Sequence, residues 1–302
     1  MNLNKSQNAL FIRLTQPLLL AGLILTYSIG VGLSHYLGAS LDWTDIFFGA
    51  FLGIFFVLMR NLLAAYFDHP SSPTSKIHAE DPRYEELNSV NRQTLLLVAL
   101  TVLTAGALDT VILVVRHAVN FSAILLLGIA FLFCFFSSVP PVQFEKKGYG
   151  ELSEAILIAN LVPAIGFLLS EPNLHVLLVM LTFPLTLLYL ALRIVFSLTT
   201  YAFDRTHSKQ TLIVRMDWQK AMNSHNYLIL AAFLFVALFS LIGQPWSLTW
   251  PMLLPLVFGI FQIIQIQGIV AGAAPKWNLL KWTAAGTFTL TAYLVSFTLW
   301  IG

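Results

Sequence analysis

Charged residues are scarce in this chain. They make up 10% of its 302 residues, while 58% are hydrophobic, and an ordinary soluble protein carries about 25% charged residues. A soluble protein of this length could not cover its surface with 16 basic and 14 acidic side chains. The scarcity of charge therefore excludes the soluble globular class and indicates an integral membrane protein.

Other features are missing as well. The chain has one cysteine, Cys134, which lies in an apolar run, so neither a disulfide framework nor a zinc cluster is expected. The net charge is only +2 and there is no basic tail, so nucleic acid is not an expected partner. The first residues show no short apolar segment followed by a small-residue cleavage site, so no signal peptide is expected.

Long apolar runs fill most of the sequence. A hydrocarbon core about 30 Å thick takes about 20 apolar residues per helix, and polar interruptions divide the chain into nine such runs. These unbroken runs exclude the alternating strands of a β-barrel. We predict an all-α polytopic membrane protein with a single domain over residues 1–302. The predicted spans are 14–37, 46–67, 94–115, 121–138, 153–170, 174–198, 227–243, 250–272 and 280–301.

The lysines and arginines predict the orientation. With nine spans, 15 of the 16 basic residues lie on or nearer one side, and only Arg116 lies on the other. Because basic residues are concentrated on the cytoplasmic side, we predict a cytoplasmic N-terminus and an external C-terminus. The three long loops, at 68–93, 139–152 and 199–226, then all lie in the cytoplasm.

Polar residues at the cytoplasmic ends of two predicted spans are candidates for chemistry. Asn61 and Asp68 are seven residues apart, so they share one face of a helix, and Pro70 ends that helix nearby. Arg193, Thr200 and Asp204 share a face if the sixth helix runs on. A solvated loop aspartate and an arginine that extends to the membrane interface are the alternatives.

Two further features stand out. Lys146 and Lys147 follow a double proline and precede Gly148 and Gly150, an arrangement that suits a phosphate group near a helix start. Asp109 lies inside the third predicted span, where we favour hydrogen-bonded packing over a role in a transport pathway.

These segments resemble the UbiA superfamily of intramembrane aromatic prenyltransferases, most closely its dihydroxynaphthoate-type branch of quinone biosynthesis. Arg13 to Pro17 is similar to the family's Arg-x-x-x-Pro, and residues 61–68 to its first aspartate motif, Asn-x-x-Asn-Asp-x-x-Asp. Residues 138–151 resemble its Tyr-Ser-x-Pro-Pro…Gly-x-Gly-Glu segment, and residues 204–215 its second aspartate motif.

The resemblance implies a UbiA-like bundle of nine helices with a cytoplasmic-facing cavity in the plasma (inner) membrane. Its activity would be transfer of a prenyl group from a polyprenyl diphosphate to an aromatic or other lipophilic acceptor, assisted by Mg²⁺. The resemblance assigns catalysis and metal binding to Asp68 and Asp204. It assigns substrate binding to Asn61, Lys146, Lys147, Lys209 and Arg215, and we add Arg193 because it is an ionisable residue within the sixth predicted span.

The chain also departs from the family pattern. Ala64 and Ala65 replace the Asn-Asp pair of the first motif, and Thr200 replaces the first aspartate of the second, so each motif retains one carboxylate. Magnesium needs only one or two protein carboxylates when substrate phosphates and water complete its shell. The alternatives are a non-catalytic UbiA-like protein that binds a prenyl lipid or a partner, and a transporter that uses Asp109 and Arg193.

Overall fold

A computed structural model describes residues 5–73, 75, 77, 81, 83–206 and 210–302. Within these residues nine helical segments are long and apolar enough to cross a membrane, which confirms the predicted all-α integral membrane protein. The cytoplasmic N-terminus, the plasma membrane and the single domain stay predictions. The segments are Ser6–Tyr36, Trp43–Asp68, Arg92–Val115, Phe121–Ser138, Gly150–Leu168, Val176–Leu198, Trp218–Ile242, Trp246–Val270 and Trp277–Ile301.

Several of these segments are built from shorter helices. A 3₁₀ turn covers Phe144–Lys146 and a π-helical turn covers Leu157–Leu161. The α-helices in chain order are α1 (Lys5–Thr15), α2 (Pro17–Tyr36), α3 (Trp43–Asp68), α4 (Arg83–Asn88), α5 (Arg92–Val115), α6 (Phe121–Ser138), α7 (Gly150–Ile156), α8 (Val162–Leu168), α9 (Val176–Leu198), α10 (Tyr201–Thr206), α11 (Leu212–Met216), α12 (Trp218–Ile242), α13 (Trp246–Leu253), α14 (Leu256–Val270) and α15 (Trp277–Ile301).

Prolines explain three interruptions. Pro17 has no backbone N–H and follows Gln16, whose φ of 42° breaks the helix between α1 and α2. Pro255, which also lacks a backbone N–H, lies between α13 and α14 without a positive φ beside it. Pro163 follows the π-helical turn Leu157–Leu161, where the wider turn accommodates the missing donor.

The chain divides into two compact units. Of the described residues, those within 1–24 and 43–143 form unit 1, and those within 25–42 and 144–302 form unit 2. In unit 1, α3 packs against α5 and α6, while α1 packs against α3 and α4. In unit 2, α9 is central and packs against α7, α12 and α15.

The α3–α5 pair is antiparallel and fixed at both ends. At one end Arg116 forms an ion pair with Asp45. At the other, the Arg92 guanidinium lies 4.2 Å from the centre of the Tyr66 ring. Beside this pair an apolar groove of 460 Å³ runs between α3, α5 and α6, and Phe55, Gly106, Thr110, Gly128 and Phe131 are among its lining residues.

Candidate functional site

Asp68 ends α3 beside an arginine. Its carboxylate lies 3.6 Å from the Arg83 guanidinium, and its backbone carbonyl accepts a hydrogen bond of 2.8 Å from the Ser75 hydroxyl. Arg83 also donates to both carboxylate oxygens of Asp81, at 2.6 to 3.1 Å. The predicted metal ligand Asp68 is therefore present at the end of a span, but it shares a guanidinium with a second carboxylate.

Asp81 shows how strongly Arg83 is engaged. Burial acts to raise the pKa of Asp81, but hydrogen bonds from the side chain and backbone of Arg83 outweigh it, and the pKa lies below its ordinary value. Near this pair Arg13 of α1 forms a 2.8 Å ion pair with Glu86 of α4. Asp68, Asp81, Arg83, Arg13 and Glu86 form what we call the acidic-basic cluster of unit 1, with three carboxylates and two guanidinium groups.

Asn61, a predicted substrate ligand, lies about two turns before Asp68 on the same face of α3 and is buried. Its side-chain amide donates a 2.8 Å hydrogen bond to the Leu14 carbonyl, next to the break at Gln16. The amide therefore ties the α1–α2 junction to α3. A substrate could then contact only the side-chain carbonyl oxygen or the second N–H of this amide.

In unit 2 the predicted lysine segment is held against α11. Arg215 donates a 2.9 Å hydrogen bond to the Lys147 carbonyl, and its guanidinium lies 4.6 Å from the centre of the Tyr149 ring. Lys147 also forms an isolated β-bridge with Gln210, and the side-chain nitrogen of Lys146 is buried. The structure therefore brings the Lys146–Lys147 segment into contact with Arg215, which lies 68 residues beyond Lys147 in the sequence; we call these three residues the basic cluster of unit 2.

Glu151 fastens this cluster to the bundle. One carboxylate oxygen accepts a 3.2 Å hydrogen bond from the Ser197 hydroxyl on α9, and the other accepts a 3.4 Å bond from the Leu212 amide of α11. Because α7 begins at Gly150, the carboxylate also lies near the positive end of a helix dipole. Glu151 thus fixes the positions of α7, α9 and α11 around the lysines.

Asp204 lies on a separate short helix. Helix α9 ends at Leu198 and α10 begins at Tyr201, so the single continuous helix that would align Arg193, Thr200 and Asp204 is not formed. Asp204 is buried, and its carboxylate accepts a 2.8 Å hydrogen bond from the Thr200 hydroxyl. Lys209, the remaining predicted substrate ligand, lies outside the described residues.

Arg193 has a partner that the sequence analysis did not identify. Its Nε lies 3.2 Å from a carboxylate oxygen of Glu154, and the Tyr189 hydroxyl donates a 2.6 Å hydrogen bond to the same oxygen. Glu154 is 1% exposed. The sequence did contain a signal for this pair. Glu154 is an acidic residue within the predicted span 153–170, and charges inside a membrane usually pair with one another.

Gly148 permits the contact between the lysine segment and Arg215. Its φ is +77°, and a Cβ at this position would collide with the Arg215 side chain. We expect Gly148→Ala to lower the free energy of unfolding by about 1–3 kcal/mol, because backbone strain is of that size, and to displace Arg215. Thermal unfolding in detergent measures this, with Gly286→Ala as the control, since no atom lies within 4 Å of a Cβ there. Equal melting temperatures for the two variants would contradict the account.

Comparisons with known proteins connect this chain to one fold. No protein-family model and no curated protein matches it. A UbiA homologue from Archaeoglobus fulgidus, solved with GPP and Mg²⁺, superposes with a TM-score of 0.69 at 15% identity over 95% of this chain and 99% of that one. A UbiA homologue from Aeropyrum pernix K1 gives a TM-score of 0.58 at 15% identity, covering 94% and 96%.

A third solved structure, of a digeranylgeranylglyceryl phosphate synthase, gives a TM-score of 0.62 at 15% identity and covers 96% of this chain and 98% of that one. These likenesses extend over nearly the whole of each chain. The chain therefore has the fold of the UbiA homologues, and the predicted nine-helix UbiA-like architecture is confirmed.

Proposed function

We propose that this protein is a membrane prenyltransferase of the UbiA superfamily, which transfers a prenyl group from a polyprenyl diphosphate to an aromatic or other lipophilic acceptor. The observation that carries the proposal is the basic cluster of unit 2, where the segment that contains Lys146 and Lys147 contacts Arg215 through the Lys147 carbonyl. Relatives in fold have been solved with GPP or DMAPP and Mg²⁺, which supports a prenyl diphosphate as the ligand. The dihydroxynaphthoate-type acceptor stays a prediction.

The basic cluster suits a diphosphate by charge. Lysine ammonium groups attract phosphate oxygens as point charges, whereas arginine binds them through a fork of donors. Arg215 already uses one donor on the Lys147 carbonyl, which holds the segment in place and leaves its other N–H groups for the ligand. We propose Lys209 as a further contact. Asn61 and Arg193 would contact the substrate while they keep their bonds to the Leu14 carbonyl and to Glu154.

The described residues contain no group of three or more His, Cys, Asp or Glu side chains arranged to hold a metal. Asp68 and Asp204 can each offer a carboxylate oxygen, and magnesium commonly takes one or two such ligands together with substrate phosphates and water. Each carboxylate is therefore of the ligand type that magnesium takes when it binds together with a diphosphate. When bound, magnesium neutralises charge that develops on the diphosphate leaving group.

The protein's own part in the reaction is to bind and to exclude water. In the transfer, the allylic C–O bond to the diphosphate breaks, a bond to the acceptor forms, and the acceptor loses a proton. Lys146, Lys147 and Arg215 would stabilise the departing anion. An apolar cavity would protect the allylic cation from water.

Removing the two lysines tests the proposal. Lys146→Gln/Lys147→Gln should weaken binding of a polyprenyl diphosphate by roughly tenfold or more, since one charge-assisted contact contributes about 1.5–3 kcal/mol. Binding of the uncharged prenyl alcohol should not change. The matched control is Lys220→Gln/Lys276→Gln, which removes the same charge from two exposed positions. An equal loss for diphosphate and alcohol would point to a folding defect and contradict the proposal.

A second candidate function is a non-catalytic UbiA-like protein that binds a prenyl lipid or a partner. The ion pair between Asp68 and Arg83 favours it, because a guanidinium competes with a metal for the carboxylate. Arg83→Gln decides between the two. For an enzyme, the variant should tighten the apparent affinity for Mg²⁺ in the presence of diphosphate, measured by titration. For the non-catalytic protein, Mg²⁺ should have no effect on either form, and Arg83→Gln should only destabilise the acidic-basic cluster of unit 1.

A further inference from the structure

Asp109, in the membrane-spanning part of unit 1, has no hydrogen-bond partner for its carboxyl group among the described residues, whereas Asp45 and Asp68 each pair with an arginine. It lies on α5 and is 5% exposed. The expected hydrogen-bonded packing is therefore not what the structure shows. Glu154, which is buried to a similar degree in unit 2, has both an arginine and a tyrosine hydroxyl.

An ionised carboxylate without partners is very costly in an apolar medium. Transfer of a lone charge out of water costs many kcal/mol, and such a group takes up a proton instead. The surroundings of Asp109 offer little compensation. Thr110, its neighbour in sequence, gives its hydroxyl proton to the Gly106 carbonyl of the same helix.

Helix α3 packs against α5. Its charged groups lie about 10 Å or more from the level of Asp109 along the helix pair. Because Asp45 pairs with Arg116 and the helices are antiparallel, Asp109 lies level with Leu52, about 10 Å along the pair from that ion pair. Arg60 and Asp68 lie roughly 12 and 24 Å further along α3 by the same rise of 1.5 Å per residue. On α6, the only titratable group within the span is the buried Cys134.

Two further features describe the surroundings of Asp109. Arg116, which pairs with Asp45, is seven residues away on the same face of α5, so the charged group nearest in sequence to Asp109 on that face lies at the helix end. The apolar groove of unit 1 reaches the same stretch of α5, since Gly106, Ala107 and Thr110 line it. Small side chains therefore separate Asp109 from a space that is open to hydrophobic molecules.

We infer that Asp109 is held as a protonated carboxylic acid within the membrane and forms a proton-binding site on the α3–α5 pair. This site is independent of the proposed prenyltransferase activity. Its ligand is a proton, and its carboxyl group is the one acid among the membrane-spanning, described residues that we expect to react as a neutral acid.

Dicyclohexylcarbodiimide, a hydrophobic reagent for neutral acids, tests the inference. The proton of the acid passes to a nitrogen of the carbodiimide, the carboxylate oxygen bonds to its central carbon, and the O-acylisourea rearranges to a stable N-acylurea. No atom is lost and no redox partner is needed. In the detergent-solubilised full chain, mass spectrometry should locate one adduct at Asp109. Asp109→Asn should abolish it, and Glu154→Gln, the control for a buried but paired acid, should retain it.

Infrared spectroscopy tests protonation without requiring access for the reagent. The difference spectrum between the wild-type protein and Asp109→Asn should contain the C=O band of a protonated carboxyl group. Asparagine resembles the neutral acid in size and charge, so this variant should melt as the wild type does; Asp109→Leu provides a second background without the carboxyl group. A carboxylate band in place of the C=O band, or a carbodiimide adduct that persists in Asp109→Asn and Asp109→Leu, would overturn the inference.

Discussion

Asp68→Asn and Asp204→Asn should each reduce magnesium-dependent binding of a polyprenyl diphosphate by roughly a hundredfold or more. Loss of a group that only supports a metal ligand costs 10–100-fold in affinity, and a direct ligand should cost at least the upper end of that range. Both substitutions preserve side-chain size, so the hydrogen bond from Thr200 to residue 204 can be kept. Titration calorimetry with and without Mg²⁺ measures the effect.

The control for these variants is Asp217→Asn. Asp217 is exposed and accepts a 3.0 Å hydrogen bond from the Tyr201 hydroxyl, so the variant removes a nearby carboxylate that the proposal does not use. The resemblance assigns both Asp68 and Asp204 to one magnesium–diphosphate complex. The double variant should therefore bind no more weakly than either single variant. Mild, additive losses would mean that the two carboxylates do not serve one ion.

Arg193→Met should destabilise the protein strongly. It leaves the Glu154 carboxylate, which is 1% exposed, without its cation, and breaking a buried ion pair in this way costs about 3–5 kcal/mol. The Arg193 side chain is 33% exposed, so we expect the lower end of that range. The measurement is the thermal unfolding midpoint in detergent.

Two further variants separate charge from packing. Glu154→Gln/Arg193→Met should recover most of the lost stability, because no buried charge remains. Tyr189→Phe removes one hydrogen-bond donor and should cost about 1 kcal/mol. A wild-type midpoint for Arg193→Met, or a double variant less stable than the single, would contradict the assigned pairing.

The membrane spans could be predicted because a helix that crosses the hydrocarbon core must consist of about 20 mainly apolar residues, and such runs are visible in the sequence. The run predicted at 121–138 became helix Phe121–Ser138 with the same bounds. The run predicted at 227–243 was too short, since α12 begins at Trp218. Its first turns carry Gln219 and Lys220, and a hydropathy pattern cannot distinguish a helix that continues past the apolar region from a loop.

The candidate site was harder to predict because its contacts depend on packing. The motif resemblance drew attention to Lys146, Lys147 and Arg215, and in the structure Arg215 contacts the Lys147 carbonyl. The pairing of Glu154 with Arg193 depends on the contact between α7 and α9, which no local pattern shows. The ion pair between Asp68 and Arg83 likewise depends on the path of the chain between α3 and α4, which no local pattern shows.

The central claim is that this chain binds a prenyl diphosphate together with magnesium. The most direct test is calorimetric titration of the wild-type protein in lipid nanodiscs with short and long polyprenyl diphosphates, in the presence of Mg²⁺ or EDTA. We predict saturable binding that requires Mg²⁺, and little binding of inorganic diphosphate, which lacks the prenyl chain. Binding of equal strength in Mg²⁺ and EDTA, or no binding of any prenyl diphosphate, would contradict the claim.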